Sequence, residues 1–145
     1  MIQRKQSIWL FIAALMGAGV FYFGLYQYHV TENGVDTVKM LRVNDHFPSF
    51  LNALVITLLP LVTIFMYGNR KRQSAMAFVN VLGLCSFIPM VLSRVNTLNK
   101  MVPPPTNGSY WIGAVLPVIA LVFTILAIFN IRKDEKLVKS MDRLR

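Results

Sequence analysis

Four long apolar stretches, separated by short charged segments, fill most of the sequence. Each is 18 to 22 residues long and contains no Asp, Glu, Lys, Arg or His; they run from Ile8 to Tyr28, Phe50 to Tyr67, Ala75 to Leu92 and Tyr110 to Ile131. A helix rises about 1.5 Å per residue, so stretches of this length cover the roughly 30 Å hydrocarbon core of a bilayer. The pattern predicts an all-α membrane protein, a bundle of four transmembrane helices that forms a single domain over residues 1–145.

Composition and charge extend this prediction to an orientation. Hydrophobic residues make up 55% of the chain and charged residues only 14%, which excludes an ordinary soluble domain. Eleven Lys and Arg residues lie before the first stretch, after the second and after the fourth, against four in the other two connections. Since basic residues near span ends resist translocation, both termini are expected in the cytoplasm. The first stretch is longer than a signal-peptide core and is expected to be retained.

The first stretch carries a face of small residues. Ala13 and Gly17 are spaced four residues apart, as are Ala14 and Ala18, and Gly24 follows. Small residues at this spacing let another helix approach closely. The face is therefore predicted to dock a helix, either within the protein's own bundle or from another membrane subunit.

The two connections on the outer side have different characters. Residues 30–38 place β-formers on both sides of Asn33-Gly34, a pair that tolerates the positive φ angles of a tight turn. A short outer β-hairpin and a solvated loop both fit this segment, and a hairpin would need the bundle or a partner to pack on. Residues 103–109 are predicted to form an extended proline stretch followed by a turn.

Interruptions and polar residues within the stretches are few. Pro60, Pro89 and Pro117 each lie inside one stretch, which predicts kinks. The polar side chains at this depth are uncharged and include Asn52, Thr57, Thr63, Asn80, Ser86 and Thr124. They are predicted to form hydrogen bonds between helices; in the alternative, the two asparagines line a cavity for a neutral solute.

Residues 132–145 are predicted to continue the fourth stretch into the cytoplasm as a helix extension. Leu137, Met141 and Leu144 recur at helical spacing, and the other face is charged. A short basic amphipathic helix can lie on anionic lipid, pack under its own bundle, or bind a protein or nucleic-acid partner. The candidate partner-binding residues are Arg132, Lys133, Lys136, Leu137, Lys139, Met141, Arg143, Leu144 and Arg145.

The sequence lacks the usual ingredients of catalysis and cofactor binding. His29 and His46 both lie in an outer connection, so haem ligation at membrane depth within this chain is not expected. Their spacing relative to Asp36 and Asp45 is not diagnostic of a metal site. Cys85 is the single cysteine and is expected to pack in the bundle core. The protein is predicted to be no enzyme and to bind no cofactor.

The two ends of the chain resemble a known family. The opening MIQRKQSIWL and the closing IRKDEKLVKSMDRLR are similar to an uncharacterised bacterial family of small four-span inner-membrane proteins, described as a domain of unknown function. The likeness covers the whole length and is most specific in the tail, while the middle matches in length and hydropathy. It implies the inner membrane of a Gram-negative bacterium and cytoplasmic termini, and it brings no activity, ligand or catalytic residue.

These patterns lead to three functional hypotheses. The first, favoured by the absence of ionisable groups from the apolar stretches, is a non-catalytic accessory or scaffold subunit of a larger inner-membrane complex. Its partners would be other membrane subunits, and a protein-export or membrane-insertion machine is the first choice, because a basic helix can also contact ribosomal phosphates. A respiratory or motility complex fits the bundle equally well. The second is a small carrier or channel for a neutral or lipidic solute. The third is a lipid-organising protein that binds anionic lipid through its basic face.

Overall fold

Four helices and one small sheet make up the structure, a computed structural model that describes residues 5–32, 35–100 and 104–142. The helices are α1 (Lys5–Tyr22), α2 (Phe47–Phe65), α3 (Arg70–Asn99) and α4 (Ile112–Asp142). The strands are β1 (Tyr26–Glu32), β2 (Val35–Leu41) and β3 (Thr106–Tyr110), and a short 3₁₀ helix (Val43–Asp45) precedes α2. The predicted predominance of helix is confirmed, whereas a three-stranded sheet was not predicted.

Three of the helices are long and apolar enough to cross a membrane, which supports the prediction of a membrane protein. These segments are Phe47–Phe65, Arg70–Asn99 and Ile112–Val138. The apolar part of α1, Gln6–Tyr22, is shorter. The first predicted stretch was too long, because α1 ends at Tyr22 and residues 26–28 belong to β1. Gly24 is a poor helix former, and the β-forming residues after it pair with β2 and β3 instead.

The helices pack side by side in the ring order α1, α2, α3, α4, so α1 and α3 lie diagonally across the bundle. The sheet lies at one end, which we call the sheet end. The start of α1, the loop between α2 and α3, and the last turns of α4 lie at the opposite end, which we call the tail end. The core between the helices includes Val20, Ile56, Leu84 and Phe87, each at most 1% exposed. Helices α2, α3 and α4 each continue through their proline.

The sheet is antiparallel with strand order β2-β1-β3. Strands β1 and β2 pair from Tyr26 with Leu41 to Glu32 with Val35, so of the two alternatives for this segment the structure has the hairpin and not the solvated loop; Asn33-Gly34 lies outside the described residues. Helix α3 continues beyond its predicted apolar stretch and packs Val95 and Leu98 against Tyr26 and Leu41. The hairpin is therefore supported by a third strand and by the end of α3.

Strand β3 contains a β-bulge at Asn107-Gly108. Gln27 of β1 pairs with Ser109 and His29 pairs with Thr106, so two residues of β3 lie opposite Tyr28 alone. Asn107 has a φ of 49°, a conformation that asparagine tolerates better than most residues. A Cβ atom on Gly108 would lie 1.7 Å from Oη of Tyr26. Residues predicted to form a turn therefore form a bulged strand, and the approach of Tyr26 leaves room only for glycine at position 108.

A backbone contact joins the start of α4 to the segment between α1 and β1. The N–H of Trp111 donates to the carbonyl of Leu25 at 3.1 Å, and the N–H of Gly113 donates to the carbonyl of Gly24 at 3.0 Å. These bonds satisfy N–H groups that the first turn of a helix leaves without an intrahelical partner. A Cβ atom on Gly113 would lie 2.5 Å from that Gly24 oxygen, so the contact requires glycine.

We expect Gly113→Ala to lower the free energy of unfolding by about 1–3 kcal/mol, because the added methyl group forces α4 away from the Gly24 carbonyl. Thermal unfolding in detergent measures this effect. Gly68→Ala is the matched control, since nothing lies within 4 Å of its added Cβ. Equal unfolding temperatures for the two variants would contradict the role assigned to Gly113.

Candidate partner-binding site

Helix α4 continues without interruption from the membrane-length segment into the charged tail. It contains 31 residues, Ile112–Asp142, and at about 1.5 Å per residue it is roughly 46 Å long. This exceeds the roughly 30 Å hydrocarbon core by about 16 Å. The predicted helical continuation is confirmed, and the last turns of α4 extend beyond the tail end of the bundle along the same axis.

The two sides of this extension differ in charge and exposure. Asp134, Glu135 and Val138 are half-buried on the side toward the bundle. The exposed side carries the residues that we call the basic face: Arg132, Lys133, Lys136 and Leu137. At about 100° per residue, these four positions fall within roughly 140° of the helix circumference. The cationic residues therefore lie on one side, together with an apolar one, and the described acidic residues lie on the other.

Arg70 fixes which side of the extension faces outward. It is the first residue of α3 and is half-buried, and its guanidinium donates a hydrogen bond to the backbone carbonyl of Asp134. The start of α3 is itself capped by Asn69, whose side-chain oxygen accepts from the N–H of Arg72 at 3.2 Å. A guanidinium hydrogen bond to this carbonyl holds one side of α4 against α3. Because that side carries Asp134 and Glu135, the basic face points away from the bundle.

The surface around the basic face is strongly positive and includes an apolar side chain. Lys71 and Arg72 of α3 are also exposed at the tail end. Leu137 is 54% exposed, although it lies six residues beyond Ile131, which is fully buried. A surface of this kind can bind an acidic partner through charge and one apolar contact. Of the remaining predicted tail residues, Lys139 and Met141 belong to α4, and residues 143–145 lie outside the described residues.

The small residues of α1 pack mainly within the protein's own bundle. Ala13 and Ala14 are at most 4% exposed. Gly17 lies against α2, where an added Cβ atom would be 2.8 Å from Oγ1 of Thr57, and Gly24 lies against Met40 of β2. Ala18 is exposed. Of the five predicted docking residues, only Ala18 remains accessible to another subunit.

Most of the polar residues predicted to join helices do so. The side-chain amide of Asn52 donates to Oγ of Ser86 at 2.9 Å, which links α2 to α3. The amide of Asn80 donates to Oγ1 of Thr124 at 3.2 Å, which links α3 to α4. Thr57 and Thr63 instead donate to carbonyls of their own helix. The two asparagines thus make separate contacts with different helices rather than lining a shared cavity.

An apolar groove of about 280 Å³ lies between α3 and α4 in the half of the bundle nearer the sheet. Its wall includes Phe87, Val91, Pro117 and Tyr110, and neither Asn52 nor Asn80 contributes to it. The groove therefore offers a solute little beyond apolar contact.

The cysteine and the histidines were the remaining candidates for chemistry. Cys85 is exposed on α3, so its predicted place in the core is wrong; the neighbouring Leu84 and Phe87 take the buried positions.

His46 caps α2, with its Nδ1 accepting from the N–H of Ser49 at 3.3 Å, a role that sequence reasoning missed. Among residues 5–32, 35–100 and 104–142, no group of three His, Cys, Asp or Glu side chains is placed to hold a metal ion.

Membrane-length apolar helices, a small sheet at one end and a projecting basic helix at the other define a small helical membrane protein. The model of the family described as a domain of unknown function (DUF4293) matches residues 2–144. The chain therefore belongs to this family, which confirms the predicted resemblance to a domain of unknown function. Neither a curated protein nor a solved structure matches it.

We expect Gly17→Leu to destabilise the bundle by about 1–3 kcal/mol, because the side chain cannot fit against Thr57. Ala18→Leu is the matched control on the same helix and should change stability by less than about 0.5 kcal/mol, since residue 18 is exposed. Chemical unfolding in micelles compares the two. Similar losses for both variants would contradict the packing of α1 described above.

We expect Arg70→Gln to loosen the extension of α4, because the hydrogen bond to Asp134 is weakened or lost. Backbone amide hydrogen exchange in residues 136–142 should become several-fold faster, in line with the loss of one charge-assisted hydrogen bond at a half-buried site. Lys71→Gln, at the exposed neighbouring position, should leave the exchange unchanged. Unchanged exchange in Arg70→Gln would show that the tail is positioned by other contacts.

Proposed function

We propose that this protein is a non-catalytic accessory or scaffold subunit of a larger complex in the bacterial inner membrane, and that the basic face binds a partner in the cytoplasm. The observation that carries this proposal is the continuity of α4 through Asp142 with Arg132, Lys133, Lys136 and Leu137 exposed. No ligand or reaction is needed to explain this arrangement.

The direction of α4 favours a protein partner over a lipid surface. A basic amphipathic helix that binds lipid lies in the plane of the interface with its apolar side chains inserted. A helix that crosses the membrane and continues along the same axis carries its last turns away from that plane. Leu137 is then surrounded by charged neighbours in water, where an exposed apolar residue gains most from contact with another protein. Attraction of the cationic side chains to anionic lipid remains as a secondary contribution near the membrane surface.

The proposed arrangement has α1 as a fourth membrane-crossing helix, with both termini in the cytoplasm. Helix α1 packs along α2 and α4, and at about 1.5 Å per residue its 18 residues measure roughly 27 Å. The basic residues of the tail end, among them Arg70, Lys71, Arg72 and those of the basic face, fit the excess of positive charge that marks cytoplasmic segments. The sheet would then face the other side of the membrane.

Among membrane complexes, a protein-export or membrane-insertion machine is our first choice. A projecting helix with three exposed cationic residues could contact ribosomal phosphates or an acidic protein surface on the cytoplasmic side. A carrier function gains no support from the separate contacts of Asn52 and Asn80. The single exposed small residue of α1, Ala18, is a candidate for lateral contact with another subunit.

The test is affinity purification of the chromosomally tagged protein from its own membranes in mild detergent, followed by mass spectrometry. We expect a defined set of co-purifying proteins. The double variant Lys133→Glu/Lys136→Glu should lower their recovery roughly fivefold or more, because two attractive charges become repulsive ones. Raised salt should weaken the association of the unaltered protein in the same direction.

The matched control is Lys71→Glu/Arg72→Glu, which makes the same change of charge at exposed positions of the same end. It should retain the co-purifying proteins if the basic face itself is the contact. Equal losses in the two double variants would indicate general attraction to an anionic surface, and isolation of the protein without partners would overturn the subunit proposal. Leu137→Gln tests the apolar part of the contact separately.

A further inference from the structure

Two carboxamide side chains are buried at the tail end of the bundle with polar atoms that lack a hydrogen-bond partner. Gln6 of α1 is 1% exposed, and neither its Nε2 nor its Oε1 has a partner. Gln73 of α3 is fully buried; its Nε2 donates to the carbonyl of Thr63 at 3.1 Å, and its Oε1 has no partner. In an apolar bundle an unpartnered polar group is costly. A third buried carboxamide, Asn80, also has an unpartnered Oδ1, but it lies farther from the tail end, whereas the two glutamines lie at the same end.

The two side chains lie at nearly the same level of the bundle. Gly17 of α1 and Gly83 of α3 both pack against Ile56 of α2, so these two glycines share one level. Gln6 precedes Gly17 by eleven residues and Gln73 precedes Gly83 by ten. At about 1.5 Å per residue, the glutamines lie roughly 15 to 17 Å from that level toward the tail end. Because α1 and α3 are diagonal helices and both side chains are buried, both glutamines lie in the interior of the bundle at this level.

Apolar packing separates this pair from the polar contact nearer the membrane centre. Ala77 of α3 packs with Ile128 and Ile131 of α4, and this cluster lies between Gln73 and the Asn80–Thr124 hydrogen bond. The two glutamines are therefore separate from that contact. The unpartnered atoms comprise one amide nitrogen that donates and two carbonyl oxygens that accept. An uncharged molecule that both donates and accepts hydrogen bonds could pair with all three atoms.

We propose that Gln6 and Gln73 form a binding site for a small uncharged molecule of this kind, with water as the occupant to be tested. A water molecule makes two to four hydrogen bonds in buried sites and has both functions in one small volume. It can donate to both carbonyl oxygens and accept from Nε2 of Gln6. A cation is disfavoured because no described carboxylate is buried with the pair, and an anion is disfavoured because two of the three atoms are acceptors. This site is independent of the basic face.

The first test uses the unaltered full-length protein in micelles. Nuclear Overhauser effects from water are expected at the side-chain amide protons of both Gln6 and Gln73. Effects between the two glutamine amides without any effect from water would indicate direct pairing and would overturn the proposal. Absence of both kinds of effect would overturn it equally.

The second test measures whether the two residues act together. A shared site predicts that the shifts in unfolding midpoint for Gln6→Leu and Gln73→Leu are not additive in the double variant, because loss of either residue already removes the bridge. Gln6→Leu combined with Asn52→Leu is the control and should be additive, since Asn52 binds Ser86 nearer the sheet end. Additive shifts for the two glutamines would exclude a shared occupant. If a single variant does not fold, the measurement on the unaltered protein still decides.

Discussion

The need to pair polar groups inside an apolar bundle governs the arrangement of the helices. Helix α3 forms side-chain hydrogen bonds with both of its neighbours: Asn80 with Thr124 of α4, Ser86 with Asn52 of α2, and Gln73 with the carbonyl of Thr63 of α2. These side chains lie on the sides of α3 that face α4 and α2. Since an unpaired carboxamide in apolar surroundings is costly, any large rotation of α3 about its axis is opposed from both sides.

The sheet depends on this placement of α3. The last turns of α3 extend beyond the apolar stretch and support β1 and β2 through Val95 and Leu98. Strand β1 in turn follows the segment whose Gly24 carbonyl accepts from Gly113 at the start of α4. The close packing of Gly113 leaves no room for a side chain there. The position of the sheet is thus set by two contacts. One is with the end of α3, and the other is the hydrogen-bonded contact between the start of α4 and the segment that links α1 to β1.

Local pattern explains the helices better than it explains the sheet or the site. Long apolar stretches predict helices well, because a helix that crosses lipid must consist mainly of apolar residues. Tyr26 and Tyr28 continue the first apolar stretch but lie in strand β1. Strand β3 was missed because Asn107-Gly108 is typical of a turn, and its place in a sheet depends on pairing with the distant strand β1. The spacing of apolar residues and the run of charges predicted the cationic tail helix. Which side of that helix faces outward depends on Arg70, which lies sixty-four residues before its partner Asp134. Gln6 and Gln73 were overlooked because they flank the apolar stretches, where polar residues are expected to be solvated.

Helix α3, which is held in place within the bundle, also determines which side of the α4 tail is exposed. Arg70 begins α3, and its bond to Asp134 turns the acidic side of α4 inward and leaves the basic face outside. Gln73 lies three residues later on α3, one turn away, and joins it to α2. A partner that pulled the tail away from α3 would therefore strain the Arg70 contact, while the Gln73 contact holds α3 itself against α2. Because buried polar contacts resist gradual distortion, partner binding is expected to preserve the observed orientation of the tail rather than remodel it.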